Sequence, residues 1–303
     1  MSAAEHDVLT LSANELLDLL EKEGLAIEDR ERAAHILGNV NYSRLKAYMV
    51  PFMKDREGHR FVPGASFEKA YALYGFDRRL RELIFHEMEK IEISVRTRMT
   101  LVQDGGQAGF WYLNPGNFRN VRKHERILVN LNREIQRSDN DAIRSYIRKH
   151  RNAEMPCWLA LEATSMGNIS VIFDEMKTGP MRSSISSYYG LDENTFGSWM
   201  RHLVYIRNSC AHHNRVWNDT MRVKASIPDK PVHRFPRTEY DAPEHIYHTM
   251  CVIKYLLDTI KPTNTFSRRL NALITGFPLI NNRWGLSAMG FPEKWHDDPF
   301  WAE

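Results

Sequence analysis

Read along the chain, apolar residues recur every three or four positions, the period of a helix with one buried face. Ser12 followed by Glu15 has capping-box spacing, and Leu16, Leu17, Leu19 and Leu20 give the helix that follows an apolar side, with Gly24 as its stop. Further helices are predicted from about Asp29 to Leu37 and from Tyr42 until Pro51 interrupts. The clearest spans Phe76 to Leu101, where Leu80, Ile84, Met88, Ile91, Val95 and Met99 form one continuous stripe. Glu89, Glu92 and Arg96 lie off that stripe, and Glu92 and Arg96 are spaced to pair along the helix.

Gly105, Gly106, Gly109, Pro115 and Gly116 predict a loop, followed by a basic helix. Pro156 opens a helix from Cys157 to about Phe173, interrupted at Gly167, and Gly179-Pro180 ends that unit. Thr195 to Cys210 and His245 to Ile260 are helical by the same period, and Pro262 stops the second. Alternation long enough for a large sheet is absent; only Met221 to Ile227 reads as extended. The aromatic tail, Phe291 to Trp301, is expected to dock on the body, since each buried Trp or Phe contributes about 2 kcal/mol or more.

The expected fold is therefore all-α. We divide it into an N-terminal helical region (1–70), a helical core (71–262) and a C-terminal segment packed on that core (263–303). With 303 residues, 43% apolar and 26% charged, the chain has the composition of a globular protein, which excludes fibrous and largely disordered classes. Three distant cysteines, Cys157, Cys210 and Cys251, supply neither a disulfide framework nor a four-cysteine zinc site. No apolar run is long enough for a membrane span, and the N-terminus carries acids where a signal peptide carries bases, so a cytoplasmic location is expected.

Net charge is only +3, but between Arg119 and Arg151 ten Lys/Arg face four acids. Such a segment is either a solvated helix face or a surface for phosphates, with Arg122, Lys123, Arg126, Arg133 and Arg137 as the RNA-binding candidates.

The densest polar cluster is Arg207-Asn208-Ser209-Cys210-Ala211-His212-His213-Asn214-Arg215, closing an otherwise apolar helix. Four readings compete. Cys210, His212 and His213 would ligate a metal only if a further ligand joined them, and adjacent histidines diverge by about 100° on a helix. Cys210 with His212 would make a thiol nucleophile only if their opposite faces met. Arg207 and His212 could simply close the helix end. The fourth reading is RNA cleavage without metal: His212 moves protons, Arg207 holds the charge on the phosphate, and Asn208 orients one or the other. On a straight helix Arg207 and His212 diverge by about 140°, so either the helix ends between them or a second copy of the motif completes the site.

The stretch from Arg207 to Asn218 resembles the signature of the Abi-like proteins, the abortive-infection AbiD/AbiF group of the HEPN superfamily, whose mark is Arg, four to six residues, then His. Other blocks agree in order: Asn41-Tyr42-Ser43-Arg44-Leu45 with Tyr48 and Pro51-Phe52; Phe76-Asp77-Arg78-Arg79-Leu80-Arg81 through Arg96; Pro156-Cys157-Trp158 through Met166-Gly167; and Met289-Gly290-Phe291-Pro292 through Trp295. Met166-Gly167 departs from the family's more frequent Phe-Gly, which touches packing only.

The resemblance implies a helical bundle, a homodimer formed through the Arg207–His212 helix, and metal-independent RNA cleavage in phage defence without a cofactor. Arg207, His212 and Asn208 would be catalytic, with His213, Glu92 and Arg96 as supporting candidates. Glu92–Arg96 also reads as a plain surface ion pair, and His213 as a helix-end residue. RNA is the expected partner, a small-RNA or protein antitoxin a candidate one, and a membrane is not expected. The alternatives are a non-catalytic HEPN module that binds RNA or protein, and a DNA-binding regulator using the N-terminal helices.

Overall fold

The computed structural model describes residues 11–54, 60–102, 109–150, 153–236, 243–278 and 284–302. Among them the fold is all-α, with isolated bridges and no strand. Three short helices lead: α1 (Ala13–Lys22), α2 (Arg30–Asn39) and α3 (Tyr42–Met49). The capping box is formed as the spacing predicts, Ser12 and Glu15 each accepting the other's backbone N–H.

The organising element is α4, Phe67–Thr100, which begins nine residues before the start predicted at Phe76 because Ser66 caps it by accepting from Lys69 N–H. Its stripe of Leu80, Ile84, Met88, Ile91, Val95 and Met99 is almost wholly buried. The basic segment is two helices rather than one: α5 (Val121–Arg137) and α6 (Asp141–Lys149), parted at Ser138–Asn140, where Asn140 caps the second. Gly105, Gly106 and Arg151 lie outside the described residues.

Next come α7 (Cys157–Ala160) and α8 (Met166–Glu175). The interruption between them falls before Ser165, which caps α8; Gly167 lies within the first turn of α8 and does not break it. Gly179-Pro180 ends one unit and opens another, because Pro180 occupies the first turn of α9 (Pro180–Tyr188), where a missing N–H costs nothing. Then follow α10 (Glu193–Ala211), α11 (Ile246–Ile260) and α12 (Phe266–Thr275). The period did not reveal α9 and α12, whose buried sets are only Ile185 with Arg182 and Ser186, and Phe266, Leu270 and Ile274.

Helices α3, α10, α11 and α12 pack on α4, α8 packs on the other side of α10, and α5 lies outside α8. The core is one connected cluster running from Leu16 to Trp301, and Phe291, Trp295, Phe300 and Trp301 dock the tail as expected. No helix among the described residues is long and apolar enough to cross a membrane.

Candidate active site at the end of α10

The apolar face of α10, with Phe196, Trp199, Met200, Leu203 and Ile206 fully buried, fixes where its last turn emerges. That turn carries the motif. The helix does not break between Arg207 and His212: it runs to Ala211, and the His212 N–H still bonds the Asn208 carbonyl at 2.9 Å. It ends in a Schellman closure. The His213 N–H reaches the Cys210 carbonyl at 3.0 Å, and the Asn214 N–H reaches the Ser209 carbonyl at 2.9 Å. Such a closure needs a left-handed residue, normally glycine; here it is His213, with φ 58°.

The residues after the turn are held by α3 and α4. Asp77, fully buried on α4, accepts the backbone N–H groups of Val216 at 3.1 Å and Trp217 at 2.8 Å, the Tyr48 hydroxyl at 2.5 Å and the Arg81 guanidinium. Burial pushes the Asp77 carboxyl above its ordinary range, and these four donors oppose that shift. Arg81 also donates to the Asn214 carbonyl at 3.2 Å, and Arg44 on α3 donates to the His213 carbonyl at 2.5 Å. Arg44, Tyr48, Asp77 and Arg81 all stand in the blocks that carry the family resemblance, yet sequence reasoning gave them no role. The only signal was a run of polar residues at positions whose neighbours are core.

Between α4 and this helix end lies a cleft of about 1110 Å³ open to solvent, lined among others by Arg44, Phe85, Glu89, Glu92, Arg207 and His213. The Arg207 guanidinium stands 5.6 Å from the centroid of the Phe85 ring, which is 45% exposed. Glu92 and Arg96 also line the cleft, but not as a surface ion pair. Arg96 is buried, paired with Glu92 and donating to the Leu161 carbonyl, so it ties α4 to the segment after α7 and shapes the cleft wall.

His212 and Asn208 are not among the residues lining this cleft. Both are exposed, on the outward side of α10 in register with Arg201 and Tyr205. Arg207 and His212 of one chain therefore address different spaces. Cys210 is buried, and burial pushes its thiol up to about 12, which leaves it protonated and a poor nucleophile. Among the described residues no group of three or more His, Cys, Asp and Glu is arranged to hold a metal.

The basic candidates are all exposed on α5. Lys123 is engaged by Glu175 at 2.6 Å, a contact that fastens α5 to α8. Arg122, Arg126, Arg133 and Arg137 make no ion pair among the described residues. Their spacing sets them in one row about 22 Å long.

The fold and site together define an all-helical protein with a solvent-open cleft, lined by arginines and glutamates in nearly equal number, built against the end of a motif-bearing helix. The family model described as Abi-like protein matches residues 35–218, more than half of the chain, and its span takes in α3, the cleft and the motif through Asn218. The chain belongs to the Abi-like protein family, which ties it to abortive infection, a response to phage. No curated protein and no solved structure matches it.

Proposed function

We propose that this protein is a metal-independent endoribonuclease of the HEPN type, acting as a homodimer in abortive infection. The observation that carries the reading is the division of the motif: Arg207, bonded to the Asn208 side chain at 3.5 Å, opens on the cleft while His212 stands outward on the same helix end. Two copies joined along α10 would pool the groups that one copy holds apart. RNA brings its own nucleophile, so the protein need supply only groups that hold charge and move protons. His212 takes the proton of the 2′-hydroxyl as that oxygen attacks phosphorus. Arg207 holds the charge growing on the phosphate, and Asn208 orients the imidazole. The Phe85 ring beside Arg207 is a platform for an unpaired base, and the arginine row of α5 collects the strand.

The test incubates pure protein with total RNA in EDTA, alongside the variant His212→Ala. Cleavage that survives chelation, leaves cyclic phosphate ends and disappears in the variant is the expected result. RNA that is bound but left intact would instead make the protein a non-catalytic binding module.

A further inference from the structure

Resting on that reading, we infer that His213 is the second proton carrier of the cleavage, donating to the leaving 5′-oxygen. The reaction needs two proton transfers on opposite sides of phosphorus. As the bond from O2′ to phosphorus forms, the 2′-hydroxyl proton passes to a base. As the bond from phosphorus to O5′ breaks, that oxygen takes a proton from an acid. One imidazole cannot stand on both sides at once: with His212 on the first, the donor is either a second copy's His212 or an imidazole that lines the cleft. The donor must lie near the group that clamps the phosphate, and the cleft that holds Arg207 also holds His213.

The backbone is the second observation. His213 is the one non-glycine residue with positive φ among the described residues. It occupies the position of a helix closure where glycine is free of strain and a side chain is not. Strain of this kind persists where the surroundings over-determine it, and Arg44 and Arg81 grip the carbonyls of His213 and Asn214 from two helices. A side chain held at a position that disfavours one, on a residue that borders the cleft, is what a functional imidazole requires. A residue needed only to end the helix would serve better as glycine. The cleft's other imidazole, His86, lies on regular helix with the Glu87 carboxylate 3.9 Å away.

The experiment compares wild type with His213→Gly, His213→Asn, His212→Ala and His86→Ala on two oligoribonucleotides in EDTA. One carries the ordinary 5′-oxygen at the mapped cut, the other a bridging 5′-sulfur, which leaves without being protonated. His213→Gly should melt at or above the wild-type temperature, yet cut the oxygen substrate ~100-fold more slowly or worse. The sulfur substrate should bring both His213 variants back to within ~10-fold of wild type, a rescue that loss of positioning alone would not give. His212→Ala should fail on both. Equal cutting of the oxygen substrate by His213→Gly and wild type overturns the inference, as does loss of both substrates together. Sulfur rescue of His86→Ala in place of the His213 variants also overturns it. If wild type cuts neither substrate, the nuclease reading itself falls and takes this inference with it.

Discussion

Asp77 and Trp217 are 140 residues apart in sequence, and the Asp77 carboxylate accepts the Trp217 backbone N–H at 2.8 Å. With Val216, Tyr48 and Arg81 on the same carboxylate, this contact fastens the chain leaving the motif to α4. Asp77→Ala would strand two buried N–H groups and a buried guanidinium at once. Breaking a buried pair from one side costs about 3–5 kcal/mol, a large part of the ordinary total of about 5–15. Urea unfolding should show that loss; a change below about 1 kcal/mol would mean the turn is held by other contacts.

How much of this was legible in the sequence depends on what each residue faces. The stripe from Leu80 to Met99 was legible because a helix with one buried side repeats itself. Helix α9 was not, since its inward residues include Arg182 and Ser186, which break the period. The angular separation of Arg207 and His212 followed from helix geometry alone. That the helix continues through Ala211 did not, because the closure rests on His213 in a conformation that a reader expects of glycine. The cleft itself was illegible: it is made by α3 and α4 meeting a turn more than 110 residues later, and no local pattern encodes that meeting.

Arg207→Ala should slow RNA cleavage by ~100-fold or more, the usual consequence of losing a group that holds transition-state charge. Arg207→Lys keeps the charge but loses the planar fork, and it should recover only part of that rate. Single-turnover rates at saturating protein separate this from weaker binding; a lysine variant at wild-type rate would reduce Arg207 to a point charge.

Phe85 lines the cleft next to that guanidinium with 45% of its surface exposed, which leaves ring area open to a base. Phe85→Ala should weaken single-stranded RNA binding by about 1–3 kcal/mol, with Phe85→Trp retaining it, because stacking asks only for a flat ring. Fluorescence anisotropy with an uncleavable 2′-O-methyl strand measures this directly. Equal affinity for all three proteins would remove the base platform.

The arginine row on α5 makes a different kind of contact, one that acts at range and without regard to sequence. If Arg122, Arg126, Arg133 and Arg137 each meet a phosphate, replacing all four by Gln should flatten the slope of log affinity against log salt by about 3. Lys123 is held by Glu175, so Lys123→Gln should change that slope least of the five. An unchanged slope in the fourfold variant would leave the row as a solvated face.

Acid should weaken the fold through two buried imidazoles that grip the segment after the motif. His202 on α10 donates through Nδ1 to the Val223 carbonyl at 2.6 Å, and its Nε2 accepts the Thr249 hydroxyl at 2.9 Å. His248 on α11 donates through Nε2 to the Ala225 carbonyl at 3.0 Å. Burial lowers both, His248 to about 4, with His202 as an added repulsion. The unfolded chain takes up a proton near the ordinary value of 6.5, whereas folded His248 does so only near 4. Protons therefore favour the unfolded state across that window. The stability is whole above pH 6.5 and is lost as pH falls through it, by roughly 3 kcal/mol between pH 7 and pH 4 for His248 alone. His248→Gln keeps a donor for the Ala225 carbonyl but cannot titrate. Urea unfolding at pH 7, 5 and 4 should show the wild type losing about that much more than the variant, and parallel curves would mean His248 titrates normally in the folded protein.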